Sequence, residues 1–108
     1  MHIYRGTIVK ATYKFEEATT SFFILAESFE KGFVFNLIQI DGYKGGMTAG
    51  HIAEDPNIVG HSAVSYNHLI QELSGLLLNL EEESLVLIPE LKHAWLQELF
   101  NDIDEVSS

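Results

Sequence analysis

The sequence predicts an α+β domain: an N-terminal antiparallel sheet of three or four strands with two C-terminal helices packed on one face. Three observations carry this. Over residues 3–41, runs rich in β-branched and aromatic side chains alternate with connections of three to six residues. Over 66–80 and again over 90–103, apolar residues recur at three- and four-residue steps. No internal repeat or low-complexity linker divides the chain, so residues 1–108 read as a single domain.

The first strand is expected over 3–15, where Ile3, Tyr4, Thr7, Ile8, Val9, Thr12, Tyr13 and Phe15 favour extended backbone. Glu16-Glu17-Ala18 reads as a hairpin connection, and 19–26 as the second strand. A turn over 27–32 uses Gly32 where positive φ is needed, and 33–40 (Phe-Val-Phe-Asn-Leu-Ile-Gln-Ile) is the third strand. Connections this short favour antiparallel neighbours, hence a meander. Asp41-Gly42-Tyr43-Lys44-Gly45-Gly46 ends the sheet, and the stretch to Gly60 has no clear period, the mark of a long functional loop.

Leu69, Ile70, Leu73, Leu76, Leu77 and Leu80 draw one apolar stripe and predict a helix over 66–80. Ser65 is placed as its N-cap, with Val64 and Leu69 at the positions of a hydrophobic staple. Gly75 inside the helix costs about 1 kcal/mol against Ala and suggests close packing. Glu81-Glu82-Glu83 then stand at a helix C-terminus, against the macrodipole. Residues 84–88 read as a short buried strand or an extended linker. Pro89 opens the second helix, whose Leu91, Trp95, Leu99 and Ile103 repeat every four residues beside Leu96. Leu73, Leu77, Trp95 and Leu99 are the expected contacts of both helices with the sheet.

Composition narrows the function classes. The chain has no cysteine, so no disulfide framework and no thiolate nucleophile. Its opening residues lack the apolar run of a signal peptide, and no apolar stretch approaches the ~20 residues of a membrane helix. A soluble, cytoplasmic protein is expected. His51, His61 and His68 lack any i, i+4 ligand spacing, so no metal is expected. Gly45-Gly46-Met47-Thr48-Ala49-Gly50 lacks the Gly-Lys-Ser/Thr ending of a phosphate loop, and no serine sits in a nucleophile elbow. No cofactor and no catalytic residue is nominated.

Charge is the informative feature. Residues 1–53 carry five acids and five bases, while 54–108 carry eleven acids and one base, Lys92, the whole net charge of −10. Such a one-sided field repels nucleic acid and anionic membrane and attracts a basic protein. It also serves solubility alone in many domains. The residues expected to meet a partner are Asp41 and Tyr43 at the sheet exit, Glu54 and Asp55 in the irregular loop, Tyr66, and Glu81, Glu82 and Glu83.

The opening Tyr4-Arg5-Gly6-Thr7-Ile8, the strand Phe33-Val34-Phe35-Asn36-Leu37 with its exit Gly42-Tyr43-Lys44-Gly45, and the run Trp95-Leu96-Gln97-Glu98-Leu99-Phe100 give this chain its resemblance. With its size, element order and acidity, it resembles the immunity proteins of contact-dependent growth inhibition and related polymorphic toxin systems. The resemblance implies 1:1 binding of a cognate toxin domain, a nuclease with a basic cleft in many such systems, and neutralisation by occlusion of that cleft. Two rivals stand beside it. One is a regulatory or adaptor domain, or one that self-associates through the strand over 3–15, although Lys10 and Lys14 discourage edge pairing there. The other is a small enzyme using His51 or His61 with Asp55.

Overall fold

The computed structural model describes residues 2–58 and 63–89. Along these residues run β1 (His2–Tyr4), β2 (Ile8–Lys14), β3 (Ala18–Glu27), β4 (Phe33–Gln39), β5 (Thr48–Ala53), β6 (Ala63–Ser65), α1 (Tyr66–Leu76), a 3₁₀ turn (Glu82–Ser84) and β7 (Val86–Ile88). The architecture is α+β, mostly antiparallel sheet, with one α-helix among the described residues. The helix expected over 90–103, with Trp95 and Leu99, lies outside them.

Five strands form one sheet in the order β5-β4-β3-β2-β7, every neighbour antiparallel. The expected meander is its middle, in the predicted order. A separate two-stranded ribbon pairs β1 with β6. The single strand expected over 3–15 is therefore two. Gly6 at φ 85° turns the chain between β1 and β2, a conformation that glycine adopts without a Cβ clash.

Alternation sorts the sheet into two faces. Val9 pairs with Phe23 and Leu25 with Leu37, and all four are wholly or almost wholly buried on one face with Ala11, Phe35 and Ile52. Leu69 and Leu73 from α1, Leu77 just beyond it, and Ile3 and Val64 from the ribbon close the same core. Each such Leu, Ile or Phe contributes about 1.5–3 kcal/mol by leaving water. The other face presents Ile8, Lys10, Phe22 and Ile24, and Lys10 Nζ sits 5.8 Å from the Phe22 ring centroid.

Two boundaries differ from expectation. The irregular stretch after residue 41 contains β5: Gly46 N–H donates to Gln39 O and Gln39 N–H to Met47 O, so the loop over 40–47 is the tip of a β4–β5 hairpin. The helix begins as predicted, with Ser65 Oγ accepting from His68 N–H at 3.2 Å, but ends at Leu76 rather than residue 80. Leu77 is extended (φ −112°, ψ 111°) and still buried, so its place in the apolar stripe is met by a strand-like residue. Gly75 is not closely packed, since nothing lies within 4 Å of where its Cβ would stand.

After α1 the chain runs antiparallel along β2. Lys14 N–H donates to Leu78 O, Glu81 N–H to Thr12 O, and Thr12 N–H to Ser84 Oγ, before β7 takes over against Ile8–Lys10. Asn79, at φ 52°, makes the bend and donates from Nδ2 to Lys14 O. The 3₁₀ turn is thus a bulge in an irregular edge strand. Residues 84–88, read as strand or linker, are its paired end.

Candidate functional site

The eight residues expected to meet a partner do not form one patch. β4 and β5 run in opposite directions, so Asp41 and Tyr43 lie at one end of the sheet and Glu54 and Asp55 at the other, the length of β5 apart.

At the Glu54 end, charge is absorbed by the fold. Asp55 is 3% exposed, against the expectation of a surface acid. Its two carboxylate oxygens accept from Ser65 N–H and Asn57 N–H, each at 2.9 Å. These two bonds, that to Ser65 first, hold its pKa down from 3.8 to about 2. The carboxylate ties the β5–β6 connection to the start of α1. Beside it Glu72 Oε1 accepts from Ala53 N–H at 2.6 Å, and the His68 imidazole is 2.8 Å through Nε2 from Ala53 O. Two side chains of α1 thereby satisfy the last residue of the edge strand. Tyr66 opens α1 half-buried against the core, and Glu54 alone of this group is exposed. His51 Nδ1 lies 2.6 Å from Asn36 Oδ1 and both Asp55 oxygens accept from backbone, so neither is bonded to the other; His61, the second histidine named with Asp55, lies outside the described residues.

Asp41 is structural too. Its Oδ1 accepts from Phe22 N–H at 3.0 Å, continuing the β3–β4 ladder. Tyr43, two residues on, is 94% exposed.

Glu81, Glu82 and Glu83 are exposed, and no described group pairs with their carboxylates. They do not oppose a helix dipole as expected, because α1 ends five residues earlier. They belong to the 3₁₀ bulge, Glu81 as its N-cap residue and Glu82 and Glu83 in its first turn. Charges and a bulge on an edge strand also block pairing with another sheet.

Next to this bulge α1 stops short, and no other described element covers that part of the core face. A groove of about 710 Å³ opens between Ser74–Leu78, the ends of β2 and β3, and the 40–47 loop. Exposed Phe15, Thr19, Tyr43, Leu76 and Leu78 line its sides, with the less exposed Tyr13, Ser21 and Gln39 below. Ser21 is buried, and its hydroxyl lies 3.2 Å from the Tyr13 hydroxyl. Gly50 makes room for one wall, because a Cβ there would lie 2.5 Å from Leu76 Cδ2. Of the eight expected residues only Tyr43 lines this groove. Phe15, Leu76 and Leu78 were not anticipated. Phe15 next to Glu16-Glu17, a large ring at a hairpin turn, was the available signal, whereas Leu76 and Leu78 look like core in any stripe.

Among the described residues no group of three or more His, Asp or Glu stands close enough to hold a metal ion. No described helix is long and apolar enough to cross a membrane. Models of protein families, curated proteins and solved structures all fail to match the chain.

Proposed function

We propose that this protein is an immunity-type inhibitor that binds a basic toxin domain and occludes its active cleft, a nuclease being the favoured target. The observation that supports this is the placement of unused charge. Of the six acids among the described residues beyond Ala53, Asp55 and Glu72 are spent on backbone N–H groups, while Glu81, Glu82 and Glu83 stand consecutively in water beside an open groove. Three adjacent carboxylates repel one another, and a partner rich in Lys and Arg relieves that repulsion. Complementary fields raise association towards about 10⁸ M⁻¹s⁻¹ at low salt, and buried apolar anchors slow dissociation. Tyr43 and Phe15 are placed to be such anchors.

Against the rival of self-association, β2 lies between β3 and β7 and has no free edge over Ile8–Lys10, so of the strand expected over 3–15 only β1, paired on one side with β6, is left for it. The experiment is co-expression with the C-terminal domain of the protein encoded immediately upstream, once that domain by itself is shown to arrest growth. Restored growth and a co-purifying 1:1 complex are expected. Full toxicity in the presence of folded, abundant protein would refute the proposal.

A further inference from the structure

We infer that the groove below Tyr43 receives an Arg- or Lys-bearing segment of the partner, with the aliphatic stem of the basic side chain lying along the groove walls. This rests on the inhibitor reading above and identifies which surface performs it. The walls and the floor differ in chemistry. Phe15, Leu76 and Leu78 offer apolar surface, and Phe15 is 74% and Leu78 53% exposed in the free protein. Below them the Ser21 and Tyr13 hydroxyls and the Gln39 side chain supply neutral hydrogen-bonding groups. The two hydroxyls bond each other and Gln39 Nε2 donates to Asp41 O, so what remains open is acceptor capacity, Gln39 Oε1 above all, which a wholly apolar guest would cover without bonding. A long cationic side chain matches both layers, because its stem is apolar and its tip donates.

Charge selects the sign. Glu16 and Glu17 follow Phe15 directly, and the Glu81–Glu83 turn stands alongside Thr12–Lys14, to which it is bonded through Glu81 N–H and Ser84 Oγ. Five exposed carboxylates therefore flank the groove's β2 side. Lys14 follows Tyr13 in the strand, so alternation turns it to the opposite face. Lys44 lines the groove, but its Nζ lies 5.7 Å from the Tyr43 ring centroid, drawn over that ring. Five carboxylates against Lys14 and Lys44 leave a local excess of three negative charges around the groove. A volume of about 710 Å³ falls within the ~300–1,000 Å³ of sites that hold drug-sized ligands, room for a short peptide segment.

The test uses the full chain, isotope-labelled, and three end-capped tripeptides: Arg-Leu-Arg, Glu-Leu-Glu and Arg-Gly-Arg. Arg-Leu-Arg is expected to bind in the ~millimolar range and to move the amide signals of Tyr13, Ser21, Gln39, Leu76 and Leu78. Glu-Leu-Glu should leave them in place, and Arg-Gly-Arg should bind more weakly. Combined Phe15→Ala and Leu78→Ala should weaken Arg-Leu-Arg about tenfold, as expected for two lost apolar contacts. Equal binding of the acidic peptide, or shifts confined to Ile8, Phe22 and Ile24 on the other face, would overturn the inference. So would nuclear Overhauser contacts in the free protein between the Leu76 or Leu78 methyls and the Trp95 indole, which would make the groove an internal contact. If neutralisation succeeds while the groove signals stay still, the inhibitor reading stands and this surface falls. If Arg-Leu-Arg binds but no toxin is neutralised, the groove stands as a basic-peptide site and the inhibitor reading falls.

Discussion

At the end of the sheet where β5 finishes, Asp55 and Glu72 accept three backbone N–H groups between them, and one acid is sealed from water. At the other end Glu81, Glu82 and Glu83 are exposed and pair with no described group, beside a groove with an almost fully exposed Tyr43 at its mouth. The residue type is shared and its use is opposite. At the first end the carboxylates replace missing backbone partners where an edge strand gives way to a helix. At the second, a bulge lifts them off the edge. An acid count therefore says little about a binding surface until the acids already engaged with backbone have been subtracted.

The largest expected effect tests whether the two ends differ in packing as they do in charge. Phe35 lies wholly buried near the sealed end, where it pairs with Glu27 and Ile52. Phe35→Ala should cost about 3–5 kcal/mol in urea unfolding through the cavity left behind. Phe15→Ala at the groove should change stability by no more than about 0.5 kcal/mol. Similar losses for both would mean that the groove wall is core.

Asp55 sharpens the contrast through pH. Its folded pKa of about 2 lies below the 3.8 of the free group. A lowered pKa stabilises the folded state above about pH 4, and that stabilisation is lost as pH falls from about 4 through 2. Asp55→Asn should lower the melting temperature at pH 7, because an amide has one acceptor oxygen for two N–H donors. It should also flatten the decline of melting temperature between pH 4 and 2. Parallel declines for variant and wild type would show that Asp55 does not carry this acid sensitivity.

How much of this was legible in the sequence follows from where local signals and tertiary contacts agree. The β2–β3–β4 meander and the Ser65 cap were legible because alternation, Gly32 and the capping hydroxyl all act within a few residues. β5 was not, because Thr48-Ala49-Gly50-His51-Ile52-Ala53 has weak strand propensity and owes its form to pairing with β4. The helix end was misplaced because Leu77 keeps a helical spacing while serving the core from extended backbone. Asp55 looked like one more surface acid, since its partners Asn57 and Ser65 are backbone groups that no side-chain pattern displays. Tyr43 is nominated by its position near a turn, whereas the groove that it lines depends on α1 stopping early.

Reversing the exposed set tests the other side of the comparison. Glu81→Lys, Glu82→Lys and Glu83→Lys together should leave the fold intact, with each site changing stability by no more than about 0.5 kcal/mol. Association with the toxin domain should slow, and its salt dependence should flatten, because exposed charges act mainly on the approach. Unchanged association at low salt would make the bulge an edge guard alone. Including Asp55 in such a set would confuse the result, since its loss also removes two backbone bonds.

The smallest expected effect concerns the wall that Gly50 makes possible. In a strand interior Ala is favoured over Gly by about 0.5–1 kcal/mol. The new Cβ, however, would stand 2.5 Å from Leu76 Cδ2 and 2.8 Å from Cδ1, so Leu76 must leave its rotamer. Such a departure costs about 0.5–1.5 kcal/mol. The two terms oppose each other, and Gly50→Ala should shift unfolding by less than about 1 kcal/mol in either direction. The Leu76 methyl resonances should move distinctly, because Leu76 is already 36% exposed and its open route is into the groove. Binding of Arg-Leu-Arg should then weaken while Asp55 and its end of the sheet stay unperturbed. Methyl signals that hold their positions in the variant would mean that Leu76 does not rest on Gly50, and the β5 side of the groove would have to be redrawn.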